Sequence, residues 1–206
     1  ADWPANMVLQ MTLKSINGVR NNAGGLLGSR KADPDFTEIA NALYRVQREG
    51  GIGMRLEERA DKSVSLVTFF SDNAVAVERD IQRLTELLDI EIGAGELPLV
   101  FSAVRRNKQE IAVLTRSMLD ILVALSAQVS VPQADVESRR ATPNEVHSAM
   151  RLMTVKSGPE EPDDAFIAIP YRRNWFWIED TDLDSKRMLT VMVLLFSLVQ
   201  TGSVNP

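Results

Sequence analysis

No cysteine occurs in this chain, and histidine occurs once, at His147. The first absence excludes disulfides, thiolate metal sites and cysteine nucleophiles. The second excludes a histidine-rich metal site and leaves any Ser-His-Asp triad a single residue to use. There is no G-x-S-x-G, H-E-x-x-H, G-x-G-x-x-G or Walker A sequence. No nucleophile elbow, zinc helix or phosphate-cradling loop is therefore signalled. Long apolar runs are also lacking. Residues 188–199 are nearly continuous apolar sequence, broken by Thr190 and Ser197, but fall short of the roughly 20 residues that cross a bilayer. They read as a buried core helix. Positive charge is the minority sign: the net charge is -5 and the sequence pI about 5.1. That weighs against a general nucleic-acid binder, whose affinity comes from concentrated positive charge. Ala1-Asp2-Trp3-Pro4 has neither the basic start nor the apolar run of a signal peptide. The expectation is a chain that begins after a processed or trimmed segment.

What is present is ordinary globular composition, 45% hydrophobic and 25% charged over 206 residues, enough for one domain with a sizeable core. Met7, Val8, Met11, Ile16 and Val19 fit one face of a helix. Residues 21–29 read as a loop with Leu26 and Leu27 at its tip. Asp33-Pro34 marks a second helix, with Asp33 as cap and Pro34 at the first helical position. Its stripe is Phe36, Ile39, Leu43 and Val46, and Gly50-Gly51 ends it.

Three times thereafter the pattern reads as a hairpin followed by a helix, over residues 54–88, 97–129 and 165–200. The first pairs residues 54–59 with 63–70, then starts a helix carrying Val77, Ile81, Leu84 and Leu88. The second turns from residues 97–104 through Arg105-Arg106-Asn107-Lys108 into 110–114; Ser117 then caps a helix with Met118, Ile121, Leu122 and Leu125. The third turns from residues 165–171 through Arg172-Arg173-Asn174 into 175–179 and the last helix. Both later turns contain Arg-Arg-Asn, and both later helices open with Met-Leu, which suggests repeated units. Between them lie a capping box, Thr142-Pro143-Asn144-Glu145, a strand over 151–156 and an acidic loop over 157–164. The predicted fold is α+β, a single domain over 1–206, with antiparallel hairpins, helices packed on the sheets and additional N-terminal helices.

Candidate sites are few. Asp180, Asp182 and Asp184 alternate after a strand, as oxygen ligands for a divalent cation can. An EF-hand would place glycine and glutamate where Ser185 and Val191 stand, so a helix cap with acidic neighbours is the favoured reading. Trp175 and Trp177 share one strand face and Phe176 takes the other; packing is favoured over stacking on a sugar or base. Arg105, Arg106, Arg172 and Arg173, with the pair Arg139-Arg140, are candidates for an anionic surface. His147 lies near Glu145 and Ser148 without a nucleophile motif. No catalytic residue, cofactor or metal is assigned.

Tyr171-Arg172-Arg173-Asn174-Trp175-Phe176-Trp177-Ile178, then Asp180, Ser185-Lys186-Arg187 and Leu194-Leu195-Phe196, resembles a pattern of uncharacterised Gram-negative envelope proteins, usually labelled hypothetical proteins or lipoproteins. Thr115-Arg116-Ser117-Met118-Leu119 with Val131-Pro132, and Ser15-Ile16-Asn17-Gly18-Val19-Arg20-Asn21, resemble two further stretches of that family. The resemblance implies a periplasmic or outer-membrane-peripheral location and no activity. This chain carries neither the lipoprotein cysteine nor an export signal, so a lipid anchor would belong to a segment it does not contain.

The sequence therefore predicts a non-enzymatic cell-envelope protein, an assembly or accessory subunit. Its partner would be another protein or a second copy, contacted through Leu26, Leu27 or the arginine turns; Trp3 is another apolar residue near a loop. Two rivals stand beside it: a metal-dependent or hydrolytic enzyme at Asp180, Asp182 and Asp184, and a module binding lipid or nucleic acid through the arginines. A cytoplasmic location is the alternative to the envelope. The last hairpin and helix are expected to be the structural centre, with Phe166, Ile178, Leu189, Met192, Leu195, Phe196 and Val199 largely buried.

Overall fold

In the computed structural model, which describes residues 3–23, 30–59, 62–70, 75–93, 95–143 and 152–202, helix α1 (Ala5–Thr12) ends at Leu13 rather than running on to Val19. The reason is Asn17-Gly18. Both residues have positive φ, 47° and 85°, the pair of left-handed conformations that a two-residue hairpin turn requires and that Asn-Gly supplies cheaply. The chain therefore leaves the helix as β1 (Leu13–Ile16), turns, and returns as β2 (Val19–Arg20), with Ile16 opposite Val19.

Helix α2 (Pro34–Arg48) buries Phe36, Ile39, Leu43 and Val46 as its stripe predicts. Asp33 occupies the cap position, but its carboxylate accepts from Arg20 N (2.8 Å) instead of from the helix. The turn at Gly50 leads into β3 (Ile52–Arg59), which pairs antiparallel with β4 (Lys62–Phe69). Gly51 is a close-approach position: a Cβ there would lie 2.6 Å from a Val77 methyl. Helix α3 (Val75–Leu88) follows, with Val77, Leu84 and Leu88 buried. Two bidentate ion pairs, Arg45–Asp80 and Arg83–Glu38, tie α3 to α2. The hydrogen bonds from Arg83 hold the Glu38 carboxyl below its ordinary pKa.

The second expected hairpin is not one. Strands β5 (Glu96–Phe101) and β6 (Ile111–Thr115) are parallel, Leu99 beside Ile111 and Phe101 beside Val113. Parallel neighbours require the connection to return to the starting end, and this connection is pinned there. Arg105 Nη1 donates to Leu88 O at the end of α3 (2.7 Å), and Glu91 N donates to Lys108 O (2.8 Å). The completed sheet is mixed, in the order β2-β1-β6-β5-β4-β3. On one of its faces α2 and α3 meet Leu13, Ile16, Val67, Phe69, Leu97, Ile111 and Val113 in a single core. These elements form one compact unit, Ala1–Ala23 with Arg30–Ser117.

A second unit, Gly24–Ser29 with Met118–Pro206, carries the three-stranded sheet. Helix α4 (Met118–Ser126) buries Ile121, Ala124 and Leu125. A short helix α5 (Gln133–Glu137) follows. The capping box and His147 lie outside the described residues from Asn144 onward. Strand β7 (Lys156–Gly158), expected over 151–156, pairs with β9 (Asn174–Glu179), which pairs with β8 (Ala165–Tyr171); both pairings are antiparallel. Helix α6 (Leu183–Gly202) closes the chain. The α+β class is as expected.

The last hairpin and helix are not the structural centre. The main core lies in the first unit. Ile178 is buried, but Leu189, Met192 and Leu195 are half-buried, and Phe166 and Phe196 are 48% and 36% exposed. The side chain of Val199 lies outside the described residues. A three-stranded sheet offers little area, and among the described side chains of α6 the buried ones form a stripe, Ser185, Met188 and Val191.

Candidate functional site

The hairpin β8–β9 and α6 are held by a local polar frame. The turn is two residues, Arg172-Arg173, with Arg172 at φ 58°. After β9, Asp182 caps α6: its Oδ1 accepts from Ser185 N (3.0 Å) and its Oδ2 from Ser185 Oγ (2.6 Å). That is the reach from the cap to the third helical residue that satisfies an orphan amide. Ser185, itself buried, also accepts from Thr154 N (2.8 Å), which fastens the helix start to the chain ahead of β7. Burial raises the Asp182 pKa more than any other single influence. The Ser185 hydrogen bonds, that of Asp184 N and the nearby Lys156 charge together outweigh it, so the carboxyl lies below its ordinary range.

The other two aspartates point elsewhere. Asp180 pairs with Lys186 (2.5 Å) and Asp184 with Arg187 (3.3 Å). Among the described residues no three acidic or histidine side chains gather as metal ligands. Lys186 Nζ also lies 4.9 Å from the centre of the Phe166 ring, a cation–π contact, and Lys156 pairs with Glu179. Trp175, Phe176 and Trp177 are all half-buried, and the Trp177 ring lies over Gly158, where a Cβ would meet it at 3.3 Å.

Outside this frame the surface is apolar. On β8, Ile167, Ile169 and Tyr171 are exposed; on α6, Val193 and Leu194 are 60% and 50% exposed, on the side away from Met188. The hydroxyls interspersed there are turned inward. Thr190 Oγ1 donates to Lys186 O (3.0 Å) and Ser197 Oγ to Val193 O (2.9 Å). Such bonds to the carbonyl four residues back use the hydroxyl within the helix, so the face is more apolar than its sequence suggests. Arg172, 5.2 Å over the Tyr171 ring, and Arg173 stand exposed at the hairpin's end.

The arginine candidates divide between the two units. Arg105 is committed to structure. Besides Leu88 O it donates to Asp89 O and the Asp89 carboxylate, covering the orphan carbonyls at the end of α3. Lys108 and Arg105 together hold the Asp89 carboxyl below its ordinary pKa. Arg106 is exposed, with its backbone amide bound by Glu110. Arg140 pairs with Asp135 (2.9 Å). Because β5 and β6 are parallel, the turns at Arg105 and Arg172 are not equivalent. Leu26 and Leu27 lie outside the described residues. Trp3 is half-buried and its carbonyl accepts from Gln47 Nε2 (3.0 Å).

An open cleft of about 960 Å³ adjoins α3 in the first unit, lined by Phe70, Glu78, Ile81, Gln82, Glu91 and Glu96 among others. No histidine, lysine or arginine lines it among the described residues, and Arg55 pairs with Glu96 (2.8 Å). Sequence reasoning did not find the exposed face of α6, because it took continuous apolar character as burial within the chain. The described helices include none long and apolar enough to cross a membrane. Compared with protein-family models, with curated proteins and with solved structures, the chain matches none.

Proposed function

We propose that the protein is a non-enzymatic subunit of the bacterial cell envelope that works by protein–protein contact, with the open face of α6 and the adjoining hairpin strand β8 as its contact surface. The observation that carries this reading is the exposure of Val193 and Leu194 on a helix whose hydroxyls are internally satisfied. Exposed apolar side chains grouped on one helix face mark interaction sites in soluble proteins. The exposed end of the β8–β9 hairpin supports the same reading, since Arg172, Arg173 and Tyr171 are residue types enriched at interfaces. The family resemblance supports the envelope setting.

The test is affinity capture of tagged protein from the envelope fraction of a Gram-negative host, comparing wild type with Leu194→Glu. The expected result is a stoichiometric envelope partner that is lost with Leu194→Glu while the circular dichroism spectrum and melting temperature are unchanged. Fractionation with cytosolic proteins and no co-purifying partner would sink the proposal.

A further inference from the structure

Asn17-Gly18 is the one Asn-Gly pair in the chain. Asparagine before glycine is the dipeptide most prone to form a succinimide spontaneously, because no side chain shields the glycine nitrogen. Here the fold holds the carboxamide away from that chemistry at both of its polar atoms. Oδ1 accepts from Ala112 N (2.7 Å) and Nδ2 donates to Leu88 O (2.9 Å), while Asn17 N donates to Ala112 O (2.8 Å). These partners are main-chain groups of other elements, in β6 and at the end of α3. The hairpin that carries the pair is lightly tied. β2 has two residues and lies at the outer edge of the sheet, so the hairpin joins the sheet through the pairing of β1 with β6. That ladder is short and shifts register between Leu13 and Ser15. Edge elements of this kind open locally, without global unfolding. Arg116, directly after β6, is a second clasp. Its Nη1 donates to Gln10 O (2.9 Å) and its Nη2 to Asn22 Oδ1 (2.8 Å), on the two flanks of the hairpin.

We propose that Asn17 is a self-modification site, silent while β1 is docked on β6 and active whenever the β1–β2 hairpin detaches, and that its product keeps the hairpin from docking again. On detachment the Gly18 nitrogen attacks Asn17 Cγ. The N–Cγ bond forms, the Cγ–Nδ2 bond breaks, and Nδ2 leaves as ammonia with the Gly18 proton. Gly18 is exposed, so water has access. One water then opens the imide. Opening at the side-chain carbonyl gives aspartate, and opening at the main-chain carbonyl gives isoaspartate. Neither product refits the clasp. Aspartate sets a carboxylate oxygen against Leu88 O where an N–H stood, two acceptors without a proton between them. Isoaspartate adds a methylene to the main chain of a two-residue turn whose length fixes the hairpin register. The modification therefore records, irreversibly, the time that the hairpin has spent off the sheet.

The test is peptide-mapping mass spectrometry of the full chain aged at mildly alkaline pH, reading aspartate and isoaspartate at position 17, with hydrogen exchange of the Ala112 amide followed on the same samples. In folded wild type, Asn17 should be lost at least about tenfold more slowly than in protein unfolded by urea. Arg116→Ala should raise the loss of Asn17 and the exchange of Ala112 by the same factor, about threefold or more. A urea series below the unfolding transition makes the same comparison on wild type and does not depend on the variant folding. Asn17→Asp, which is one product made directly, should speed Ala112 exchange at least about tenfold. Equal rates of Asn17 loss in folded and unfolded protein overturn the proposal. So does faster Ala112 exchange with an unchanged rate of Asn17 loss, and so does an Ala112 amide that exchanges only by global unfolding. An Asn17→Asp variant that exchanges like wild type overturns the claim that the product cannot redock.

Discussion

The two units use apolar residues differently. In the first, α2 is a plain amphipathic helix: Phe36, Ile39, Leu43 and Val46 face the core, and Glu38, Arg45 and their partners face water. In the second, α6 is apolar on most of its circumference, yet its described side chains bury one narrow stripe, Ser185, Met188 and Val191. A one-sided helix tells the reader which face is covered and implies that the same chain covers it. An all-round apolar helix says only that something should cover it. The second covering can come from another molecule, and that difference separates a structural core from a docking surface.

Core truncations test the first half of the contrast. Phe36→Ala should cost about 3–5 kcal/mol in denaturant unfolding, as a fully buried aromatic does. Met188→Ala, at a fully buried position of α6, should cost about 2–5 kcal/mol; a cost below about 1 kcal/mol would mean that α6 is hardly packed at all. Asp182→Ala should cost about 0.5–2 kcal/mol as a lost cap. Because the folded-state pKa of Asp182 is depressed, its contribution is complete above the unfolded value of about 3.9 and fades as pH falls through the folded value. The stability gap between wild type and Asp182→Asn should therefore close below about pH 4. Arg83→Ala, at an exposed ion pair, should lower the melting temperature only slightly, and less in high salt. Leu194→Glu should change stability by no more than about 0.5 kcal/mol. A large destabilisation there would erase the contrast, because it would show that the chain itself needs that side chain.

Several parts of this arrangement were legible in advance. The helical stripes of α2 and α3, the α+β class, the hairpins β3–β4 and β8–β9 and the cap region before α6 follow from local periodicity and turn chemistry. What failed was non-local. Asn17-Gly18 was a readable turn signal, overruled by apolar spacing that happened to continue past it. The parallel pairing of β5 and β6 depends on Arg105 reaching the end of α3, which no window of sequence contains. Of the candidate site, the residues of α6 were visible but not their exposure, since an apolar side chain reads the same whether its neighbour is in its own chain or in another. The place of β3 at the sheet's edge was invisible for the same reason: a strand becomes an edge only when the order of the whole sheet is known.

Asn17 carries one more consequence. Its backbone N donates to Ala112 O (2.8 Å), its Oδ1 accepts from Ala112 N (2.7 Å), and its Nδ2 donates to Leu88 O (2.9 Å). The turn between β1 and β2 is thus finished by contacts 71 and 95 residues downstream. On a ribosome adding about 5–20 residues per second, β1 waits roughly 5–20 s for the neighbour that completes its side of the sheet. Until then its Leu13 and Ile16 have no core to enter. The β1–β2 hairpin is therefore synthesised well before the strand that secures it, which makes it the natural point of capture for a chaperone during synthesis.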